Sequence, residues 1–262
     1  MKPTILFLFN SSPYALQPWL DDGRFNVVSV DYHDTDHAQA HREPAQGVLQ
    51  LNVDLSTPTA KRRVLELLWA HDMAQPSLVI SFPPCTDLAV SGARHFKAKL
   101  ARDSECQNRA VEMAKLASTF SCPYVIENPV SVLATLWRPA DYYWDPCDYA
   151  GYIMPWEAQH PEFPGLIPDR DMYHKKTGAW CGNGFRTPER RYRAPLEKAN
   201  HGWAKLGGKS ARTKYIRSLT PRGWARAVYA ANVTAILHEK VVDKAYIKEL
   251  LSLKRSTLDA LI

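Results

Sequence analysis

Cysteine is scarce in this sequence, and the few cysteines are not arranged for a disulfide framework or a zinc site. The chain has five cysteines in 262 residues, an odd number, and no CxxC pair. Small secreted proteins normally carry even sets of cysteines, and thiolate zinc sites use closely spaced pairs. The sequence therefore argues against both classes of protein and predicts no metal site.

Long hydrophobic runs are missing as well. The run Ile5–Phe9 follows Lys2 as the apolar part of a signal peptide would, but it is short. The polar stretch from Asn10 to Pro13 ends it without a small-residue cleavage site. No other stretch approaches the ~20 apolar residues needed to cross a bilayer. We therefore expect a cytoplasmic protein with no membrane partner.

Acidic residues are sparse in one long segment, which makes the charge uneven along the chain. Residues 170–226 contain 15 lysines and arginines against 3 acidic residues, a local charge of +12, whereas the whole chain carries +6. A basic segment on an acidic body is typical of a protein that binds a polyanion on one face. The alternative is a solvated basic surface that improves solubility, but the size of the asymmetry favours the polyanion.

Strands and helices alternate in the first half of the chain. Short runs rich in β-branched or aromatic residues predict five strands, at Ile5–Phe9, Asn26–Val30, Val48–Val53, Leu78–Phe82 and Tyr124–Ile126. Helical spacing predicts helices over Thr59–Asp72 and Arg102–Phe120. The alternation predicts an α/β fold with a parallel sheet, in which ligands bind beyond the carboxyl ends of the strands.

After Pro139 the composition changes to many prolines, glycines, tryptophans and tyrosines, which favours irregular structure. The sequence thus predicts a core at 1–138, a small irregular basic lobe at 139–217, and C-terminal helices at 218–262 that pack back on the core. These helices begin near Thr220, and the last one is predicted over Asp243–Leu253.

Two motifs carry the chemistry. Pro83-Pro84-Cys85-Thr86 follows the fourth predicted strand, and its prolines stiffen the turn that presents the cysteine. Glu127-Asn128-Pro129 follows the fifth strand, so Cys85 and Glu127 are expected along one edge of the sheet. A thiol there can add to one carbon of an electron-poor heterocycle while the acid protonates a ring nitrogen. The alternatives are a buried structural thiol and a capping or salt-bridging carboxylate.

Together, these motifs resemble the catalytic signatures of the cytosine-C5 DNA methyltransferases, and the likeness extends from about Ile5 to Asn232. The resemblance implies the Rossmann-like sheet of S-adenosylmethionine-dependent methyltransferases, with the basic lobe binding the target DNA. It implies that Cys85 adds to C6 of a flipped-out cytosine, that Glu127 contacts N3, and that S-adenosyl-L-methionine methylates C5. Substrate contacts are implied for Pro84, Thr86, Asn128, Lys176 and Thr177.

Two further segments are similar to motifs of this family. Ser218–Ala227 resembles the final motif, whose helix packs onto the loop after the first strand. With Gly207–Ser210 upstream, it is similar to compact bacteriophage members, which would act in the host cytoplasm and protect DNA from restriction. Glu189–Arg193 resembles the Gln-x-Arg-x-Arg motif, which assigns the positioning of the cytosine to Arg191 or Arg193. The segment Lys175–Gly178 competes for that role.

The cofactor segment departs from the family pattern. The family's first motif is Phe-x-Gly-x-Gly-Gly, whereas Phe9–Ala15 contains no glycine and includes Pro13 and Tyr14. Asp31 and Asp54 end the second and third strands, where acids would bind the ribose and the adenine; the alternative for each is a loop carboxylate. Phe9, Ser11 and Pro83 complete the implied cofactor contacts. Three explanations fit the missing glycines of this loop. The protein has a looser S-adenosylmethionine site, uses a different donor, or binds its target without transferring a group.

The leading hypothesis is a cytosine-C5 methyltransferase of short or low sequence specificity, because the small lobe leaves few residues for reading bases. The alternatives are an inactive DNA-binding relative, a cytosine-modifying enzyme with another donor, and an enzyme for a free cytosine nucleotide. His37 and His41 have a spacing that suits a metal on a helix, but the polar segment around them favours a solvated loop. A monomer is favoured.

Overall fold

A computed structural model describes residues 1–10, 12–32, 46–194, 206 and 210–238 of the chain. Its centre is a seven-stranded sheet in the order β3-β2-β1-β4-β5-β7-β6. Strands β1 to β5 run parallel, and β7 lies antiparallel between β5 and β6. The strands are β1 (Thr4–Leu8), β2 (Asn26–Asp31), β3 (Val48–Asn52), β4 (Pro76–Ser81), β5 (Tyr124–Pro129), β6 (Tyr142–Trp144) and β7 (Thr177–Gly182). The predicted α/β class with a mainly parallel, Rossmann-like sheet is confirmed by this topology, and the five predicted strands are all present.

Helices cover both faces of the sheet. They are α1 (Pro13–Asp22), α2 (Ala60–Ala70), α3 (Phe96–Arg102), α4 (Cys106–Lys115), α5 (Leu133–Leu136), α6 (Ala211–Ser218) and α7, at 222–238. The predicted helix Arg102–Phe120 is shorter, because residues 103–105 precede α4 without helical structure and the turn Leu116–Thr119 is 3-10. The predicted helix Asp243–Leu253 lies outside the described residues.

The core has two halves, one on each side of the sheet. Residues of α2 and α4 pack with Leu6, Leu8 and Val28 on one side, while residues of α1 and α7 pack with Ile5 and Phe7 on the other. Strand β1 is fully buried because both of its faces are covered, and this is why its sequence is an unbroken apolar run. None of the helices in the described ranges has the length and apolarity required to span a bilayer.

Helix α7 docks closely beside β6. Trp224 stacks on Trp144 with 5.0 Å between ring centroids. At Gly223 a Cβ atom would lie 2.3 Å from the main-chain oxygen of Tyr149, so only glycine fits this approach. The main-chain N–H of Thr220 donates to Oγ of Ser12 at 3.0 Å. The segment similar to the family's final motif therefore packs on the loop after β1, as expected.

The segment between β6 and β7 is irregular, with three short 3-10 turns at Pro146–Tyr152, Pro155–Glu157 and Asp169–Asp171. It is joined to α7 by Arg222, whose buried guanidinium pairs with the carboxylate of Asp171 at 3.0 Å. Strands β6 and β7 belong to the range predicted as a lobe, yet they complete the central sheet. The division into 1–138, 139–217 and 218–262 stays a prediction.

Candidate active site

The loops that follow β4 and β5 are joined at the carboxyl edge of the sheet. Nδ2 of Asn128, which is fully buried, donates to the main-chain oxygen of Pro83 at 3.2 Å. Further along, the N–H of Val90 donates to Val130 O at 3.0 Å, and that of Val132 donates to Leu88 O at 2.9 Å. Because three bonds join the end of β5 and the loop after it to the loop after β4, the side chains of these segments hold a fixed relation to one another.

Cys85 is half-buried at this junction, between exposed Pro84 and exposed Thr86. Its main-chain oxygen accepts from the N–H groups of Leu88 at 3.0 Å and Ala89 at 2.8 Å, so the cysteine begins a hydrogen-bonded turn. Lys99 of α3 fixes the same turn, since its Nζ donates to the main-chain oxygen of Thr86 at 2.6 Å.

The protonation of Cys85 is set by its surroundings. Burial raises the pKa of the Cys85 thiol, and the nearby carboxyl of Glu127 raises it further, while the charges of Lys175 and Lys99 act in the opposite direction. The resting group is therefore a thiol, and anything that favours the thiolate increases its nucleophilicity.

Glu127 lies in β5 and is half-buried at the same junction. Burial raises the pKa of its carboxyl, and the charge of Lys175 partly offsets this. A carboxyl with a raised pKa keeps its proton to higher pH and can serve as an acid. Cys85 and Glu127, predicted to share an edge, lie at the carboxyl ends of the paired strands β4 and β5, which the Asn128–Pro83 bond also joins.

Lys175 belongs to the segment Lys175–Gly178 that competes with Arg191 and Arg193, although the substrate contacts implied in that segment were Lys176 and Thr177. It precedes β7 by two residues, and antiparallel pairing puts Thr177 opposite Pro129 and Ala179 opposite Glu127. Side chains alternate along an extended chain, so Lys175 lies on the same face as Ala179 and Glu127. Its neighbour Lys176 lies on the opposite face, with Nζ 5.2 Å from the ring centroid of Tyr143.

Two other residues complete this side of the site. Tyr173 is buried, and burial together with the charges of Asp171 and Glu127 raises the pKa of its hydroxyl. Thr177, an implied substrate contact, is buried, and its hydroxyl donates to the main-chain oxygen of Lys175 at 2.9 Å. No motif in the sequence singles out Tyr173, because a tyrosine in an irregular segment has no distinguishing pattern.

Arg191 and Arg193 lie beside the edge strand β6, two strands away from β5. The guanidinium of Arg191 rests over the ring of Tyr152, 4.4 Å from its centroid. The N–H of Arg191 donates to Asp148 O at 2.9 Å, and that of Arg193 donates to Cys147 O at 3.1 Å. Both side chains are exposed, so the structure groups them with the basic surface rather than with the half-buried pair.

The implied cofactor residues line the carboxyl ends of the neighbouring strands. Phe9 directly follows β1 with its backbone in the left-handed region, at a φ of 55°, and its N–H donates to Val30 O at 2.9 Å. Asp31 is half-buried at the end of β2, and its carboxylate accepts from the N–H of Tyr32. Asp54 is exposed after β3 and accepts from the N–H of Ser56 at 2.9 Å and from its hydroxyl at 2.6 Å. Pro83 is buried beside them, and Ser11 lies outside the described residues.

The loop after β1 is stabilised by side chains in place of glycines. Oδ1 of Asn10 accepts from the N–H of Ser12 at 3.2 Å, and Ser12 in turn is bonded to Thr220. Tyr14 does not cover the sheet edge, because its hydroxyl donates to Glu162 at 2.8 Å and its ring contacts His160. The edge thus has an acid, Asp31, at the position implied for the ribose, but among the described residues no glycine at the position implied for the methionine part.

His37 and His41, for which a solvated loop was favoured over a metal site, lie outside the described residues. Across the part of the chain that the structure does describe, no three histidine, cysteine or acidic side chains are grouped to hold a metal ion.

Comparisons with known proteins concern the fold. The chain matches no protein-family model and no curated protein. Among solved structures it is similar to MycE methyltransferase from the mycinamycin biosynthetic pathway, in complex with Mg and SAH. The two share 13% sequence identity over 82% of this chain and 48% of that chain, and the TM-score is 0.29. It is also similar to a short chain dehydrogenase from Francisella tularensis, at 9% identity over 45% of this chain and 43% of that chain, with a TM-score of 0.27. A short chain dehydrogenase from Leptospira borgpetersenii with bound NAD+ aligns at 10% identity over 47% and 49%, with a TM-score of 0.25. The chain spans less than half the length of each, and similarity this distant carries no argument about activity.

Proposed function

We propose that this protein is a cytosine-C5 methyltransferase that acts on DNA, with Cys85 as nucleophile and Glu127 as acid. The observation that carries the proposal is the junction of the loop after β4 with the end of β5, where strand pairing and the Asn128–Pro83 bond bring a half-buried thiol and a half-buried carboxyl to one edge. The geometry suits addition of the Cys85 sulfur to C6 of cytosine while Glu127 gives a proton to N3. Carbon C5 then becomes nucleophilic.

The proposed donor is S-adenosyl-L-methionine, which would supply the methyl group to C5. Asp31 would hold the ribose hydroxyls at the end of β2, and Phe9 and Pro83 would border the same edge. After transfer, loss of the C5 proton and release of the cysteine sulfur restore the aromatic base and the free thiol. The protein contributes the thiolate, the acid and the enclosure of the base.

DNA is the proposed substrate because of the exposed cations in the basic segment. The described part of that segment presents Arg186, Arg190, Arg191, Arg193, Arg212, Lys214 and Arg217 to solvent. Arginines and lysines on one segment contact phosphates without reading sequence, which fits a compact enzyme of short or low specificity. A free nucleotide would leave most of these charges without a role.

Nucleoside mass spectrometry on cells that express the protein tests the proposal. We expect 5-methylcytosine in DNA with wild type and none with Cys85→Ser, while Cys122→Ser, another half-buried cysteine, serves as the matched control and keeps the product. The mass of any product identifies the transferred group, and its presence in DNA or in the nucleotide pool identifies the substrate. Equal nucleoside profiles for wild type and Cys85→Ser would contradict the proposal.

A non-catalytic DNA-binding protein is the second candidate. The observation that favours it is the glycine-free loop after β1, which Asn10 and Ser12 stabilise from within. Calorimetry with S-adenosylmethionine and S-adenosylhomocysteine, with and without DNA, separates the candidates. Binding of either compound supports methyl transfer, whereas binding of neither favours the DNA-binding protein or an enzyme with another donor.

A further inference from the structure

We propose that Lys175 is a positioning residue of the reacting pair, whose ammonium group stabilises the thiolate of Cys85 and thereby prepares it for attack. The proposal deepens the proposed function and rests on it in one respect, the role of Cys85 as nucleophile. The proton that leaves the thiol passes to solvent, and no bond other than S–H breaks in this step.

The position of Lys175 follows from the pairing of β5 with β7. The amino end of β7 meets the carboxyl end of β5, with Thr177 opposite Pro129, and Lys175 continues this edge for two residues. Alternation of side chains puts it on the face of Glu127 rather than on that of Asn128. The lysine therefore lies beside the carboxyl end of β5, on the face that Glu127 shares.

The ammonium group is held in place from the other side by α6. Its Nζ donates to the main-chain oxygen of Arg217 at 3.0 Å, in the last turn of the helix Ala211–Ser218. The carboxyl end of a helix attracts a cation, because the last carbonyl groups have no partner within the helix. Lys175 is half-buried there, so its charge is less screened than that of an exposed lysine.

Charges face Cys85 from three elements. Glu127 of β5 opposes loss of the thiol proton, while Lys175 before β7 and Lys99 of α3 favour it. Lys175 has the larger effect of the two lysines and also lowers the pKa of the Glu127 carboxyl. Lys99 donates to the main-chain oxygen of Thr86 and to the carboxylate of Asp87 at 2.8 Å. Its main role is therefore to stabilise the turn after Cys85. Lys175 is thus the cation that serves both reacting groups.

The test measures the reactivity of Cys85 in the full chain, without DNA or cofactor. Iodoacetamide modification is followed from pH 6 to 10, and peptide mass spectrometry separates Cys85 from the other four cysteines. Lys175→Gln removes the charge and keeps an N–H donor for Arg217 O. We expect modification of Cys85 to slow by about threefold to tenfold near pH 8, with its pH profile displaced to higher pH.

Two further variants make the result specific. Lys175→Arg keeps the charge and is expected to restore most of the rate. Lys2→Gln is the control, because Lys2 also donates to a main-chain oxygen, that of Gly23 at 2.7 Å. Lys2 precedes β1 and so lies at the amino end of the strands, away from Cys85, and this variant should react like wild type. Equal pH profiles for wild type and Lys175→Gln would overturn the proposal, as would a rate for Lys175→Arg as low as that of Lys175→Gln.

The outcome is independent of the nucleoside experiment. If wild type makes 5-methylcytosine and Lys175→Gln reacts with iodoacetamide as wild type does, the proposed function stands and the role of Lys175 falls. If Lys175→Gln reacts slowly but no cytosine product forms, the lysine controls the thiol and the proposed methyl transfer falls.

Discussion

Nδ2 of Asn128 donates to the main-chain oxygen of Pro83 at 3.2 Å, and it is one of three bonds that hold the end of β5 and the loop after it against the loop that carries Cys85. Neighbouring residues of β5 point to opposite faces, so Asn128 reaches one side of the sheet while Glu127 lies on the other. The motif Glu-Asn-Pro therefore combines an acid with the residue that fixes the nucleophile's loop. The Asn128 side chain is fully buried, so water cannot replace the bond.

Replacement of Asn128 by alanine is expected to loosen the loop of Cys85. The buried carbonyl of Pro83 loses its donor, which destabilises the protein by about 1–3 kcal/mol. Product formation should fall by on the order of tenfold, because a small displacement of the sulfur removes it from the target carbon. Urea unfolding and nucleoside mass spectrometry measure the two effects.

Ser131→Ala provides the control for that variant. The Ser131 hydroxyl is also buried near the junction, but within the described residues its oxygen has no hydrogen-bond partner. Removal of an unsatisfied oxygen should leave the free energy of unfolding within about 0.5 kcal/mol of wild type, or raise it. A loss of stability as large as that of Asn128→Ala would show that any change at this position disturbs the loops.

Glu127→Gln is expected to stabilise the protein at neutral pH while abolishing activity. Burial raises the folded-state pKa of the Glu127 carboxyl, so the native state retains a proton that the unfolded chain has lost. Wild-type stability therefore falls as pH rises from about 4.3, the usual value for glutamate, through the raised pKa. The neutral glutamine is free of this penalty.

The measurement is Tm against pH for wild type, Glu127→Gln and Glu66→Gln, an exposed glutamate of α2. The difference between Glu127→Gln and wild type should be small near pH 4 and widen as pH rises. Glu66→Gln should follow wild type throughout. A constant difference across the range would mean that the Glu127 carboxyl titrates alike in the folded and unfolded states.

The sequence predicted the five parallel strands and the shared position of Cys85 and Glu127 at one edge because both depend on local pattern. Apolar runs mark the parallel strands, and motifs directly after two of those strands place Cys85 and Glu127 at one edge. Lys175 was passed over in favour of Lys176, because the face on which each neighbour lies depends on the pairing of β7 with β5. That pairing is formed by residues about fifty positions apart and leaves no local signal.

Other features were missed for related physical reasons. Helix α3 and the 3-10 turn before it, Val90–His95, have no buried residue, so no apolar period marks them. A long irregular segment separates strands β6 and β7. These strands contain tyrosine and glycine instead of a run of β-branched residues, so no pattern in the sequence marks them. Arg191 fits the Gln-x-Arg-x-Arg pattern in sequence alone. Its position in the fold is set by main-chain hydrogen bonds with Asp148 and Gly151, which the pattern does not predict.

Asp171→Asn is expected to destabilise the link between the irregular segment and α7. Asp171 and Arg222 form a buried ion pair, with side chains 2% and 9% exposed, and loss of the negative charge leaves the guanidinium uncompensated. The free energy of unfolding should fall by about 3 kcal/mol. Glu157→Gln weakens the ion pair with Arg226, whose members are 40% and 33% exposed, and should cost at most about 1 kcal/mol. Urea unfolding measures both losses. A larger loss of stability for Glu157→Gln than for Asp171→Asn would contradict this account.

Gly223→Ala tests the close approach of α7 to the segment after β6. The added methyl group would meet the main-chain oxygen of Tyr149 at 2.3 Å, which backbone atoms can relieve only by moving the helix. We expect a loss of about 1–3 kcal/mol in the free energy of unfolding. Gly92→Ala is the control, because its nearest neighbour, Thr86 O, lies 4.0 Å away. Thermal unfolding of the two variants separates a packing effect from a general intolerance of alanine.

The exposed arginines of the basic segment should control the salt dependence of DNA binding. Arg186 and Arg193 are exposed beside α7 and β6, and each phosphate contact adds about 0.9 to the slope of log affinity against log salt. The double variant Arg186→Gln/Arg193→Gln is therefore expected to lower the slope by about 2 and to weaken binding of a cytosine-containing duplex at low salt. Fluorescence anisotropy at several salt concentrations measures both quantities.

Arg62→Gln is the control for this experiment. It removes an exposed arginine of α2 that pairs with Glu66, and it should leave the slope unchanged. If Arg62→Gln lowered the slope as much as the double variant, net charge rather than the basic segment would govern binding.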